Sequence, residues 1–239
     1  MKSVRMLGVL LGLGLLAGCS SSGDQAAPPQ DAAQAKEAEA AGKLDTYRQL
    51  LRIGNDEMAV TMGHDILDRY PGSAPAKEVQ KTLPEVERRW KENSEKARLA
   101  ALWTYQVAPM AGGTQSTATI YSSQPSGENR VRLVLRRHTA WGQSVFLYGS
   151  GHGFVCRGTC TIPSEVDGKR IGIKAFAPPT GEPALMIRDD KAFLALLAKA
   201  KKIRMDVTLV DGEKKETLLF EVGGFDPAKW QPLPKGKGS

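Results

Sequence analysis

Cysteine supplies the readiest chemistry in this chain, and its three copies stand in different surroundings. Cys156 and Cys160 bracket Arg157-Gly158-Thr159 in Phe154-Val155-Cys156-Arg157-Gly158-Thr159-Cys160, a stretch that reads as a short hairpin. Antiparallel neighbours bring Cα atoms within disulfide range, and closing so small a loop removes about 2 kcal/mol of unfolded-state entropy. The expectation is therefore a structural disulfide that pins one turn, against free thiols or a metal or redox pair. A redox pair more often reads Cys-x-x-Cys at a helix start, and His152 brings the zinc reading only to three ligands where a structural site takes four. His64 and His138 are read as surface or partly buried residues, not as bases. Gly149-Ser150-Gly151-His152-Gly153 is rich enough in glycine for a phosphate cradle, but such a loop must open a helix. Here it lies between two strand-like runs and reads as a turn. Arg130, Arg132 and Arg136 alternate with Val131, Leu133 and Leu135, the pattern of a half-buried strand with a basic outer face, and this face is the candidate site for an anionic ligand. Neither a nucleophile elbow, nor paired carboxylates, nor a cofactor fingerprint is visible, so the expectation is a protein that is no enzyme and holds no cofactor or metal.

The third cysteine, Cys19, closes Leu16-Ala17-Gly18-Cys19. Lys2 and Arg5 form a charged start, Leu7 to Leu16 an apolar run, and Ala17-Gly18 the small residues a signal peptidase accepts. That run is too short to span a bilayer, which takes roughly 20 apolar residues. The segment resembles the bacterial lipoprotein signal, whose lipobox it matches at each position. The resemblance implies cleavage before Cys19, diacylglycerol on its thiol and three acyl chains in all, with palmitate as the label that marks them. One acyl chain holds a protein only marginally, so stable anchoring takes at least two. In the same family Asp after the lipidated cysteine retains the protein in the inner membrane. Ser20 stands there in this chain, which favours the periplasmic face of the outer membrane.

The elements that must position these residues follow in order. Residues 19–42 are mostly Ser, Gly, Gln, Ala, Pro and Asp and cannot repay the entropy of ordering, so they read as a disordered tether whose Asp31 to Ala41 stretch visits helix. Residues 43–102 turn helical. Leu44, Tyr47 and Leu51 mark one apolar stripe, and Ala59, Met62, Gly63, Ile66, Leu67 and Tyr70 a second. Gly54-Asn55 separates them, Pro71-Gly72 ends the second, Ser73 caps a third helix, and Thr82 with Glu85 and Pro84 predicts a break near Thr82. From Trp103 the period becomes two, with strands over Thr117 to Ser122, Val131 to Arg136, Val145 to Tyr148, Ile171 to Phe176 and Leu185 to Ile187. A helix capped by Asp189 or Asp190 carries Phe193, Leu196, Leu197 and Ala200 on one face. Asp211-Gly212 then predicts a hairpin that sets Met205 opposite Leu218 and Ile203 opposite Phe220, with Glu216 opposite Val207 as a local conflict.

The fold class expected is α+β: helical hairpins over 43–102, an antiparallel β-sandwich or barrel-like domain over 103–232 with one helix before the last hairpin, and a disordered tail over 233–239. With 41% hydrophobic residues in 239, the chain can bury a real core. Two units of its formal charge of +7 belong to Lys2 and Arg5, no aromatic-interleaved basic motif appears, and nucleic acid is not an expected partner. Ala59 to Ala76, with Tyr70-Pro71-Gly72-Ser73, resembles the tetratricopeptide units of envelope lipoproteins, in which such a turn joins one helical hairpin to the next. Trp103 to Trp230 is similar to small periplasmic β domains that include invasion-associated locus B proteins and accessory lipoproteins of type VI secretion. The matching residues are Trp103, Phe154-Val155-Cys156, the helix Phe193 to Lys201, and Phe220-x-Val222-Gly223-Gly224-Phe225. These resemblances imply a non-enzymatic accessory or interaction module of the cell envelope with a protein partner. The basic strand face supplies the alternative, a binding protein for an anionic envelope lipid or glycan.

Overall fold

The structure, a computed structural model, describes residues 29–233 except 150 and 152, so Cys19, the signal segment, His152 and the end of the tail lie outside the described residues. The chain divides into two compact units between Leu83 and Pro84.

In the first unit α1 (Pro29–Arg52) begins inside the stretch expected to be a tether. Its Ala, Glu and Lys residues have high helix propensity, and three contacts hold its middle in place. The Glu37 carboxylate accepts from the Ala74 N–H (3.0 Å), Glu39 lies near enough to the Tyr70 hydroxyl to raise its pKa, and Ala40 is buried. A disordered tether up to residue 42 is therefore corrected: within 29–42 the chain is helical. Asn55 caps α2 (Asp56–Arg69) through the Met58 N–H, and Ser73 accepts from Ala76 N–H at the start of α3 (Ala74–Ala101). Leu44, Tyr47, Leu50, Ala59, Ile66, Val79 and Leu83 form the buried stripes of the three helices. Gly63 lies under Leu83, where a Cβ would come within 2.8 Å of a side-chain methyl.

The break expected near Thr82 does not occur, and α3 runs on with Pro84 inside it. Thr82 caps nothing. Its hydroxyl turns back on the Glu78 and Val79 carbonyls (both 3.4 Å) and meets the Tyr47 hydroxyl (2.9 Å). Burial of Val79, Leu83 and Val86 on one face outweighs the hydrogen bond that proline removes. Helix gives way to strand between Ala101 and Trp103, while the two compact units divide within α3.

In the second unit nine strands form one antiparallel sheet among the described residues: β1 (Trp103–Met110), β2 (Gly113–Tyr121), β3 (Arg132–His138), β4 (Gly142–Tyr148), β5 (Thr159–Val166), β6 (Lys169–Phe176), β7 (Ala184–Ile187), β8 (Ile203–Thr208) and β9 (Lys215–Phe220). Their order is β1-β2-β3-β4-β7-β6-β5-β8-β9. The outer edge of β9 exchanges backbone hydrogen bonds with Ser123 and Gln124, just past β2 (2.7 and 3.0 Å), so the sheet bends round toward a barrel and leaves β1 as an edge. Ile120, Leu133, Leu135, Val145, Leu147 and Leu185 from one half meet Ile162, Ile203, Met205, Leu218 and Phe220 from the other, and α4 (Asp190–Leu197) packs Phe193 and Leu197 into the same core. Asp189, not Asp190, caps α4, accepting from the Ala192 N–H at 2.9 Å. The α+β class expected from the sequence is the class observed.

The β8–β9 pairing has the expected register, Ile203↔Phe220 and Met205↔Leu218, and includes Val207↔Glu216. Glu216 escapes the core by pairing with Lys214. Phe154 to Cys160 is not a hairpin. Phe154 bridges Leu209 beyond β8, while Cys160 lies in β5 opposite Ala175 of β6. Cys156 and Cys160 nevertheless form a disulfide, with Cα atoms 5.6 Å apart, because the bend at Arg157-Gly158 carries the chain back on itself without a strand pair.

Candidate functional site: an arginine and aromatic groove

Alternation along β3 sends Leu133 and Leu135 into the core and Arg132, Val134, Arg136 and His138 to the other face. Register then decides what each meets. Arg132 lies between Tyr121 and Tyr148, Val134 between Thr119 and Phe146, and Arg136 between Thr117 and Ser144. On the far sides Phe146 faces Met186 and Tyr148 faces Ala184, while Thr104 and Gln106 of β1 face Thr119 and Thr117. With Pro178, Thr180 and Glu182 from the loop after β6 and Trp141 from the β3–β4 turn, these residues line a groove of about 820 Å³. That lies within the range of about 300–1,000 Å³ usual for small-molecule sites.

Both groove arginines are held by rings. The Arg132 guanidinium stands 5.0 Å from the centre of Tyr148 and 5.9 Å from that of Tyr121. Arg136 stands 5.0 Å from Phe146 and 5.3 Å from Trp141, and its Nε–H donates to Ser144 Oγ at 3.2 Å. Such cation–π contacts contribute about 0.5–2 kcal/mol each, more as water is excluded. They fix the guanidinium without neutralising it. Partial burial lowers the Arg136 pKa from the ordinary arginine value, and the charge of Glu182 works against that shift. Thr180 Oγ1 donates to Glu182, which holds this carboxylate in its loop.

The helical arginines differ in this respect. Arg48 pairs with Glu78 (2.6 Å), Arg69 with Asp65 (2.7 Å), Arg88 with Glu85 and Glu92 (both 2.6 Å), and Arg98 with Glu95 (2.7 Å) and Glu221 (2.9 Å). Neither Arg132 nor Arg136 is within ion-pair distance of a carboxylate among the described residues.

At the turn end of the groove Trp141 stacks on His138 with ring centres 3.8 Å apart. His138 Nδ1 accepts from the Ala140 and Trp141 N–H groups (3.1 and 3.2 Å), so its proton sits on Nε2. His138 is buried, and its place is to hold the turn that presents Trp141. His64 lies exposed on α2.

Of the three arginines expected to share one face, Arg132 and Arg136 do. Arg130 precedes β3, donates to the Gly127 carbonyl at 2.9 Å and covers the Tyr121 ring at 4.6 Å, beside the groove rather than in it. Arg137 points to the core side, where it lies 3.7 Å over the Trp230 ring and donates to the Trp230 carbonyl. Tyr121, Trp141, Phe146, Tyr148, Phe176, Glu182 and Met186 were not singled out by sequence reasoning. A signal for some of them was present: no Asp, Glu, Lys or Arg occurs from Leu99 to Gly127 or from His138 to Cys156, so β1, β2 and β4 bring only neutral side chains.

Cys156 and Cys160 are committed to each other, and among the described residues no three His, Cys, Asp or Glu side chains gather where they could hold a metal ion. No described helix is long and apolar enough to cross a membrane. Compared with known proteins, the chain matches no family model, no curated protein and no solved structure.

Proposed function

We propose that this chain is a non-enzymatic, lipid-anchored protein of the periplasmic face of the outer membrane, and that its β unit binds an anionic envelope ligand in the groove over β1–β4 and β7. The supporting observation is the pair Arg132 and Arg136: ring-stacked, without a carboxylate partner among the described residues, and flanked by β2 and β4, which bring no charge. Fixed guanidinium groups with free N–H edges suit carboxylate or phosphate, which they engage bidentately. The lipobox around Cys19 supports the anchor, and with it a location beside the anionic lipids and glycans of the envelope. A second role, docking a protein partner through the helical unit, is favoured by Ile53 and Met58, exposed at 68% and 55% where α1 turns into α2.

The test uses the full chain carrying Cys19→Ser, with two probes: vesicles containing phosphatidylglycerol, and the acidic polysaccharide polygalacturonate. The doubly substituted R132E/R136E chain should lose at least tenfold in affinity for whichever probe the parent binds, whereas R88E, at an ion-paired surface arginine, should not. Equal binding by the parent and the double variant would contradict the proposal.

A further inference from the structure

We infer that the groove takes an anionic amphiphile: a phosphate or carboxylate headgroup on a guanidinium and a hydrocarbon chain along the floor. This rests on the groove reading above and goes further, to the class of ligand. Arg132 and Arg136 lie four residues apart on one strand, so their Cα atoms are separated by about 13 Å at the usual rise. On the β4 and β7 side the interval is apolar, with Val134 and Phe146 on the central row continued by Met186, Phe176 and Ala184, whereas Thr119 and Thr104 continue the row on the β2 and β1 side. A ligand segment that crosses on that apolar side meets no hydrogen-bonding side chain, and leaving a polar group there unpaired costs roughly 1–3 kcal/mol. Sugar hydroxyls and peptide amides incur that cost. A methylene chain does not, and the thioethers of Met186 and Met110 adapt to its shape.

The aromatic rings point the same way. A sugar stacks on the open face of a ring, but here the rings of Tyr148 and Phe146 lie under guanidinium groups and Trp141 lies on His138. Those three rings are taken up by the arginines and His138, and Val134, Met186, Ala184 and Phe176 are left for the ligand.

The mouth fits the same occupant. The β1–β2 and β3–β4 turns lie side by side, tied by Thr139 N–H to the Thr114 carbonyl and Thr114 N–H to Thr139 Oγ1 (both 3.0 Å). They present Met110 and Trp141, exposed at 42% and 52%, with no charged residue in either turn. An uncharged rim with an exposed tryptophan is suited to the interfacial layer of a bilayer, where tryptophan accumulates.

The probe is lysophosphatidylglycerol below its micelle concentration, added to the full chain carrying Cys19→Ser, with glycerol 3-phosphate, lysophosphatidylcholine and polygalacturonate as comparisons. Lysophosphatidylglycerol should bind, its affinity rising about fourfold for each added methylene over a series of chain lengths. Glycerol 3-phosphate should bind at least a hundredfold more weakly, and the zwitterionic lysolipid at least tenfold more weakly. Met186→Lys should weaken the lysolipid at least tenfold, although it adds a cation, because it places an ammonium on the floor; for an acidic polysaccharide it should be neutral or favourable. Affinity independent of chain length in the parent chain would overturn the inference without recourse to any variant. Binding of polygalacturonate through Arg132 and Arg136 without binding of the lysolipid would overturn it while leaving the anionic-ligand proposal standing, and binding of neither would remove both. Incubation with vesicles holding labelled phosphatidylglycerol separates the sources: label leaving with the protein marks an extracted lipid, whereas protein sedimenting with the vesicles marks a lipid held in the bilayer.

Discussion

Arg132 and Arg137 belong to one strand and carry the same side chain, yet one meets a groove and the other the Trp230 carbonyl, because successive residues of a strand face opposite ways. Alternation made Arg132 and Arg136 legible in the sequence. What they stack on was not, since Tyr121 and Tyr148 reach Arg132 only through pairings between strands. The cysteine pair was legible from its short spacing together with the export that the signal segment implies, although the hairpin offered as its setting was wrong. Replacing both cysteines by serine should lower stability by about 2 kcal/mol or somewhat less, measured by urea unfolding of parent and variant, and adding reductant should bring the parent down to the variant. A parent insensitive to reductant would contradict a disulfide that restrains the unfolded chain. Asp167 carries a second prediction. Its carboxylate accepts from the Lys201 and Lys202 N–H groups (3.0 and 2.8 Å), which lowers its pKa from the ordinary aspartate value. A carboxyl group with a lowered folded-state pKa contributes stability above its unfolded value, about 3.9, and loses it as pH falls through the lowered one. Asp167→Asn should therefore lower the melting temperature at pH 7, and the gap should close as pH falls below about 4. A gap that is constant with pH would show that the charge is not what these amides hold.

Helix α3 shows local chemistry overruled by packing. Thr82, Pro84 and Glu85 have the order of a helix start, yet the apolar row Val79, Leu83 and Val86 is continuous across them and the helix follows the row. Proline inside a helix costs about 3 kcal/mol through its missing N–H and its clash with the preceding turn. Pro84→Ala should raise the urea midpoint of the full chain by the equivalent of at least about 1 kcal/mol, with a small gain in helical circular dichroism. An unchanged or lower midpoint would mean that the neighbouring packing requires the proline. The β8–β9 hairpin is the converse case. Asp211-Gly212 and alternating apolar residues on both arms agreed with each other, and the observed register is the one they predict. β5 was hidden because Pro163, Ser164 and Glu165 interrupt its apolar alternation, and it exists through partners on both sides, β6 and β8. The start of α1 was hidden likewise, because Glu37 is anchored by the Ala74 N–H, far along the chain.

At the scale of the molecule, the class of fold could be read from the change of period at Trp103, but the order of strands could not. β7 inserts between β4 and β6, and this puts Met186 and Ala184 beside Phe146 and Tyr148, so the groove floor comes from segments some forty residues apart in the chain. Sequence alternation therefore yielded the charged half of the site and not its apolar half. The groove as a binding site is the central claim, and amide and side-chain nuclear magnetic resonance of the full chain carrying Cys19→Ser tests it most directly. On titration with lysophosphatidylglycerol and, separately, polygalacturonate, at least one probe should move the Nε–H signals of Arg132 and Arg136 and the indole N–H of Trp141, together with amides of β2–β4, while those of Arg48, Arg88 and Arg98 stay in place. Signals of the groove that stay fixed under both probes, or shifts confined to the ion-paired arginines of the helices, would contradict it.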